Sequence, residues 1–206
     1  MSQIALPLDW PAGESQEDFV VGDANADAVR HLDHWGTWPV MASILTGPRK
    51  SGRSLLGRLF ARKTGGRMID DADRRGEEEL FHAWNAAQAD RRPLLLIADS
   101  PPPAWSVRLP DLRSRLAATP VVSIADPDDG LMRALVEKLL AQRNLSAPPG
   151  LADWLVPRID RTYVGLIRVV DALDDVALAK RARLSIRLAR GTLASLGMRS
   201  EGVDGL

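Results

Sequence analysis

One continuous segment carries the main signal for the architecture: Pro39-Val40-Met41-Ala42-Ser43-Ile44-Leu45-Thr46-Gly47-Pro48-Arg49-Lys50-Ser51-Gly52-Arg53-Ser54. Its apolar first half predicts a buried strand that a turn ends. Helical spacing follows from Ser54 to Phe60. The segment between matches G-x-x-x-x-G-[KR]-[ST], in which backbone N–H groups and the helix N-terminus hold phosphate. A glycine- and serine-rich turn that matches by coincidence is the alternative.

The loop supplies the first set of candidate site residues, and Arg53 sets its chemistry because it stands where such loops usually carry lysine. A guanidinium can pair with phosphate oxygens in two places, but it is bulkier than an ammonium and less able to follow a γ-phosphate through reaction. We therefore predict nucleotide binding with little or no intrinsic ATPase activity. Ser54 would ligate Mg²⁺. The candidate nucleotide-binding residues of the loop are Gly47, Pro48, Lys50, Ser51, Gly52, Arg53, Ser54 and Leu55.

Acidic residues follow two later apolar segments. Asp70 and Asp71 end the short run that begins at Met68, and they are candidates for holding a metal and orienting water, respectively. Asp99 ends the strand that begins at Leu94 and could sense a phosphate at the carboxyl edge of a sheet. Turn formation and strand-end capping are the structural alternatives. Between Ser54 and Asp70 there is room for one helix only, so the sheet should lack a strand.

The order of segments predicts two folded units after a tail. Strands alternate with helices as far as 121–124, which predicts a parallel α/β sheet. After Asp126 the pattern is helical, with helices expected at about 128–143, 151–158, 162–173 and 176–196. The predicted organisation is an extended tail at 1–18, an α/β core at 19–125 and a helical unit at 126–206.

Composition excludes several kinds of site and of partner. The 206 residues include no cysteine, so disulfide and thiolate chemistry are excluded, and the three histidines lack metal-ligand spacing. The formal net charge is zero, whereas proteins that hold DNA through phosphates usually carry a basic excess, so we expect indirect contact with DNA. No signal peptide or membrane-length apolar run is evident, which predicts a cytoplasmic protein that does not contact a membrane.

Two arginines lie two residues apart in Leu109-Pro110-Asp111-Leu112-Arg113-Ser114-Arg115-Leu116. On a helix they point to different sides, so one can pack while the other projects. A projecting arginine at a subunit edge can stabilise charge on a transferring phosphoryl group in a neighbour. A solvated surface charge is the alternative.

Together, the loop, the Asp70-Asp71 pair, Asp99 at its strand end, the double-arginine helix and the helical C-terminal unit resemble the AAA+ module of the DnaA-related family over residues 3 to about 190. Within that family the chain is most similar to the short regulatory members that promote inactivation of the replication initiator DnaA. An initiator would carry a DNA-reading domain after the helical unit, and the sequence ends at Leu206, which favours a regulator. The fold implied is an αβα P-loop core with a reduced parallel sheet, followed by a small helical lid.

The resemblance also assigns roles to residues. The N-terminal segment is similar to the peptide with which the family binds the DNA polymerase sliding clamp, through Gln3, Ile4, Leu6, Pro7 and Leu8. Val21 and Asn25 lie in a stretch similar to the one that surrounds the adenine. Arg115 matches the arginine finger, and Arg161 matches a lid arginine that touches the nucleotide phosphates.

The function implied is that of an ADP-bound regulator, tethered to the clamp, that stimulates ATP hydrolysis by DnaA and prevents re-initiation. The sequence leaves open whether ATP replaces ADP, whether Mg²⁺ takes part, and whether the protein forms a homodimer. Two other functions are compatible with it. One is a stand-alone P-loop ATPase or kinase, and the other is a clamp-tethered adaptor that does not stimulate hydrolysis, supported by the basic residues Lys180, Arg181, Arg183, Arg187 and Arg190.

Overall fold

The computed structural model describes residues 19–198. They divide into two units, the first ending at Ala125 and the second beginning at Asp126. The helices and strands of the first unit are α1 (Asp23–Asp33), β1 (Ala42–Thr46), α2 (Arg53–Thr64), β2 (Arg67–Ile69), α3 (Glu77–Asp90), β3 (Leu94–Ile97), α4 (Pro110–Ala117) and β4 (Val121–Ser123).

The sheet of the first unit has four strands in the order β2-β3-β1-β4, all parallel. Ile44 of β1 lies opposite Leu96 of β3 and Val121 of β4. Because the strands are parallel, their carboxyl ends meet at one edge, where the loop after β1 and the acids after β2 and β3 also lie. One helix, α2, connects β1 to β2, so the prediction of a reduced sheet is confirmed.

Helices cover both faces of this sheet, and β1 and β3 are accordingly buried on both sides. Ala42 and Ile44 of β1 join the core formed with α3 and α4. On the other face the Ser43 hydroxyl is hydrogen-bonded to Nε2 of His31 in α1, at 2.8 Å. A Cβ added at Gly57 of α2 would lie 2.6 Å from the Ile97 side chain, so α2 packs closely on the same face. The predicted αβα core is confirmed.

The second unit is helical, as predicted. Its helices are α5 (Asp129–Gln142), α6 (Leu151–Leu155), α7 (Tyr163–Lys180) and α8 (Ile186–Ser195). The Asp128 carboxylate accepts a hydrogen bond from the Leu131 N–H at 2.7 Å and so caps α5. Buried side chains from all four helices form one core, which includes Met132, Val136, Leu155, Leu166, Val170, Leu173 and Leu193.

The predicted boundary between the last two helices is wrong. We expected a break at residues 174–175, but α7 continues to Lys180 because buried Leu173 and Ala177 extend its apolar face by another turn. The helix ends at Arg181, whose φ of 47° is left-handed. Ser185 then caps α8 by accepting a hydrogen bond from the Leu188 N–H at 3.2 Å. The basic residues therefore lie on both sides of a turn and not on one helix.

Within residues 19–198, none of the helices combines the length and the apolar character that crossing a membrane requires.

Candidate functional site

The loop at residues 47–52 connects β1 to α2 and contains three left-handed residues. Gly47 has a φ of 147°, Lys50 of 66° and Gly52 of 89°. A Cβ at Gly47 would lie 2.8 Å from the Ile124 carbonyl oxygen, and one at Gly52 would lie 2.8 Å from the Phe19 ring. Gly47 is therefore required for space as well as for conformation, whereas Gly52 is required for its backbone conformation. A backbone that alternates in this way turns successive N–H groups inward, which suits an anion.

Ser51 is the polar centre of this loop. The residue is 5% exposed, and its hydroxyl is buried with no hydrogen-bond partner among the described residues. Its N–H donates to the Pro48 carbonyl at 3.3 Å. A buried hydroxyl without a partner costs free energy unless a ligand or water satisfies it. The loop therefore fits a phosphate group. Ser54 and Leu55 follow in the first turn of α2, where both are half-buried.

Arg53 does not extend over this loop. Its guanidinium donates to the Ala98 carbonyl through Nη1 and to Asp99 Oδ1 through Nη2, the latter at 2.8 Å. The side chain is 12% exposed. The residue at the lysine position is thus held at the end of the neighbouring strand β3, whereas the sequence predicted that it would pair with phosphate.

Asp99 is held between two arginines. Its Oδ2 accepts a hydrogen bond from Arg74 Nη2 at 2.9 Å, while Oδ1 accepts the one from Arg53. The hydrogen bond from Arg53 lowers the pKa of Asp99. Partial burial raises this pKa, but the positive charges of Arg53, Arg74 and Arg49 lower it further. Asp99 is therefore ionised. Sequence reasoning missed Arg74, because nothing in its spacing relates it to a strand end 25 residues away.

Asp70 and Asp71 lie at the same edge of the sheet, but β3 separates their strand β2 from β1. Asp70 Oδ1 accepts a hydrogen bond from the Asp71 N–H at 3.0 Å. Asp71 has a left-handed φ of 50° and is exposed at the start of one turn of 3-10 helix, Ala72–Arg74. Across residues 19–198, no three histidine or carboxylate side chains are grouped as a metal site. Ser54 and Asp70 could bind Mg²⁺ only if the nucleotide supplied further ligands.

Val21 and Asn25 shape the segment before α1. Asn25 is 2% exposed, its Oδ1 accepts from the Gly22 N–H at 2.9 Å, and its Nδ2 donates to the Val20 carbonyl at 2.8 Å. Both ends of the amide fix this turn, so its part in an adenine site would be to hold the backbone. Val21 is half-buried, and Phe19 lies against Gly52.

Arg115 packs against α3, whereas Arg113 is exposed. The Arg115 Nε donates to Asn85 Oδ1 at 3.0 Å and Nη1 donates to the Asp111 carbonyl at 3.1 Å. Its guanidinium carbon lies 4.5 Å from the centre of the Phe81 ring and 5.4 Å from that of Trp84. The prediction that one arginine packs and the other projects is met. However, the arginine that packs is Arg115, the arginine-finger candidate, and the one that projects is Arg113. Its Nη2 has no hydrogen-bond partner among the described residues.

Arg161 belongs to the second unit, where it immediately precedes the Thr162 cap of α7. Its Nη2 lies 2.7 Å from Asp129 Oδ1, and both side chains are mostly exposed. This surface pair is weak and would exchange readily for a stronger anion. The clamp-peptide candidates Gln3, Ile4, Leu6, Pro7 and Leu8 lie outside the described residues.

Comparisons with known proteins bear on the fold. No model of a known protein family matches the chain. An uncharacterized protein of Haemophilus influenzae is 30% identical over 118 residues, which are 57% of this chain and 51% of that protein. The chain thus spans about half the length of the curated relative it matches.

Two solved structures from Thermotoga maritima are similar over most of the chain. Domain III of the replication initiation protein DnaA has a TM-score of 0.70 at 16% identity, covering 86% of this chain and 94% of that domain. The RuvB Holliday junction branch migration motor has a TM-score of 0.66 at 17% identity, covering 93% of this chain and 75% of RuvB. The parallel sheet, the loop after β1 and the helical C-terminal unit therefore constitute an AAA+ fold.

Proposed function

We propose that the first unit binds an adenine nucleotide, ADP in the first instance, with its phosphates in the loop at 47–52. The observation that supports this most strongly is the buried Ser51 hydroxyl, which has no partner among the described residues and lies in a loop whose Gly47 and Gly52 have left-handed backbone conformations. Backbone N–H groups of the loop and the positive end of α2 would bind the phosphate oxygens. The Ser51 hydroxyl would donate one further hydrogen bond.

The same geometry supports weak or absent hydrolysis. Arg53, which stands at the usual lysine position, is engaged by Asp99 and Ala98 and is not free to follow a transferring phosphoryl group. Bound Mg²⁺ would neutralise phosphate charge, with Ser54 and Asp70 as its protein ligands. Asp71 would orient water only if it turned inward from its exposed position. We therefore propose that the nucleotide has a structural role, which disfavours the stand-alone ATPase or kinase.

We further propose that the chain regulates replication initiation, in the manner of the DnaA regulator Hda. The N-terminal peptide would bind the sliding clamp, and Arg115 would act on ATP held by DnaA. Contacts with Asn85 and two aromatic rings fix the Arg115 guanidinium, while Nη2 stays available for a phosphoryl oxygen. A rigidly held arginine loses little entropy on meeting its target. Arginine fingers supplied in trans accelerate hydrolysis by up to ~10³–10⁵-fold.

The test is hydrolysis of ATP already bound to DnaA, on clamp-loaded DNA, with and without this protein and ADP. Stimulation that disappears when residues 1–8 are deleted or when the clamp is omitted would support the regulator. Intact clamp binding without stimulation would leave the clamp-tethered adaptor. Failure of the deleted protein to keep its melting temperature would mean that the segment also contributes to folding, and clamp binding would then be tested with Leu6→Ala.

A further inference from the structure

Charge is segregated along the sequence of the helical unit. After Asp175 the next acidic residue is Glu201. Between them lie five basic residues that the structure describes, all of them exposed. We call this group the basic elbow: Lys180, Arg181, Arg183, Arg187 and Arg190.

Three other basic residues of the same unit pair with carboxylates. Arg133 pairs with Asp153, Arg143 with Asp171 and Arg161 with Asp129. Within residues 19–198, no carboxylate lies within ion-pair distance of a residue of the basic elbow. The elbow is thus a concentration of uncompensated positive charge on a protein whose formal net charge is zero.

The fold brings the elbow together at the turn between α7 and α8. Lys180 ends α7, the chain reverses at left-handed Arg181, and α8 begins after Ser185. Lys180 and Arg187 line a shallow cavity of about 450 Å³ with the apolar residues Val176 and Leu188 and the small residues Ser185, Gly191, Thr192 and Ser195. Arg190 lies one turn beyond Arg187 on α8. Small neighbours leave these cations open to a bulky anion.

Helix stability explains only part of this pattern. Lys180 and Arg181 lie at the C-terminal end of α7, where a positive charge is favourable. Arg187 lies in the first turn of α8, which has no acidic residue, and a cation is unfavourable there. The charge of Arg187 therefore adds to the positive N-terminal end of α8. Because Arg187 also lines the cavity, this positive charge favours an anionic partner there.

We propose that the basic elbow binds the phosphate backbone of a nucleic acid. Four of its five cations are arginine, whose planar guanidinium pairs with phosphate in two places. Exposed cations on both sides of one turn can contact more than one phosphate of a polyanion. Contact of this kind is independent of sequence and sensitive to salt, with dissociation constants of ~10⁻⁴–10⁻⁶ M at physiological salt. The proposal does not depend on nucleotide binding or on DnaA.

Fluorescence anisotropy of a labelled DNA duplex, titrated with the full chain at several salt concentrations, tests this. The double variant Lys180→Gln/Arg187→Gln should bind about tenfold more weakly at low salt, with the slope of log K against log salt smaller in magnitude by ~2. The matched control is Arg168→Gln, an exposed arginine twelve residues before Lys180 on α7, which should behave as wild type. All variants should keep the wild-type melting temperature.

An unchanged salt slope in the double variant would overturn the proposal, as would an absence of DNA binding by the wild type. A third contrary result is binding to vesicles containing phosphatidylserine without binding to DNA, since exposed Leu178 and Ile186 flank the elbow. Binding of an acidic peptide without binding of DNA would also overturn the proposal, because it would assign the surface to a protein partner.

Discussion

Arg53, in the first turn of α2, is bound to Asp99 at the end of β3 by a hydrogen bond of 2.8 Å. The pair joins the phosphate loop to the strand beside it, and Asp99 is shared with Arg74. Phosphate and Asp99 are both anions that a guanidinium binds well. We expect a bound phosphate to compete with Asp99 for Arg53, so that the carboxylate limits how tightly the loop holds a nucleotide.

Asp99→Asn should therefore strengthen ADP binding, by ~3- to 10-fold, because a neutral amide holds Arg53 less firmly. Isothermal titration calorimetry measures this directly. Asp90→Asn, at the exposed end of α3, is a control for the same change of net charge. Equal or weaker binding by the Asp99 variant would mean that Arg53 stays on the strand end and that the loop alone holds the phosphates.

Gly47→Ala should destabilise the protein by about 1–3 kcal/mol, because its backbone conformation is nearly confined to glycine. The added Cβ would also lie 2.8 Å from the Ile124 carbonyl oxygen. Gly65→Ala is the matched control, since its φ of 66° is also left-handed but no atom lies within 4 Å of the new Cβ. We expect this control to cost about 1 kcal/mol. Urea unfolding measures the free energy of unfolding of both variants. Equal losses of stability would contradict the crowding at Gly47.

Arg115→Ala should abolish stimulation of DnaA while ADP binding is retained. Loss of the contacts with Phe81 and Trp84 should reduce stability by only about 1 kcal/mol. Arg113→Ala removes an exposed arginine from the same helix and should stimulate normally. Rates of hydrolysis of ATP pre-bound to DnaA distinguish the two variants, once circular dichroism has shown that both are folded. Retained stimulation by the Arg115 variant would remove this residue from the mechanism.

Glu77 should contribute stability that depends on pH. Its carboxylate accepts the N–H groups of Arg108 at 2.8 Å and Leu109 at 2.6 Å, and these bonds lower its pKa from the ordinary 4.5. The contribution is fully present above the unfolded-state pKa and disappears as the pH falls through the lower folded-state value. The difference in Tm between wild type and Glu77→Gln should thus be largest near neutral pH and shrink in acid. A difference that is constant down to pH ~3 would show that the charge is irrelevant.

Local sequence was sufficient for the elements that form the site. Apolar runs without alternation at 42–46 and 94–97 specify buried parallel strands, and Gly47 and Gly52 specify the turn between strand and helix. The short interval between Ser54 and Asp70 specified a sheet with one strand fewer. These features follow from periodicity and backbone conformation, which neighbouring residues determine. The end of α7 could not be predicted in this way, because packing of Ala177 extends the helix beyond Asp175.

The sequence by itself thus determined the fold class, the reduced sheet and the position of the phosphate loop. Which charged side chains contact one another depends instead on long-range packing. Arg53 and Asp99 are 46 residues apart and Arg115 and Asn85 are 30 apart, so no local pattern relates them. A long cationic side chain can reach several partners of similar energy, and the choice among them depends on which backbones the sheet and helices bring within a few ångströms. That choice placed Arg53 on a strand end and fixed Arg115 against α3.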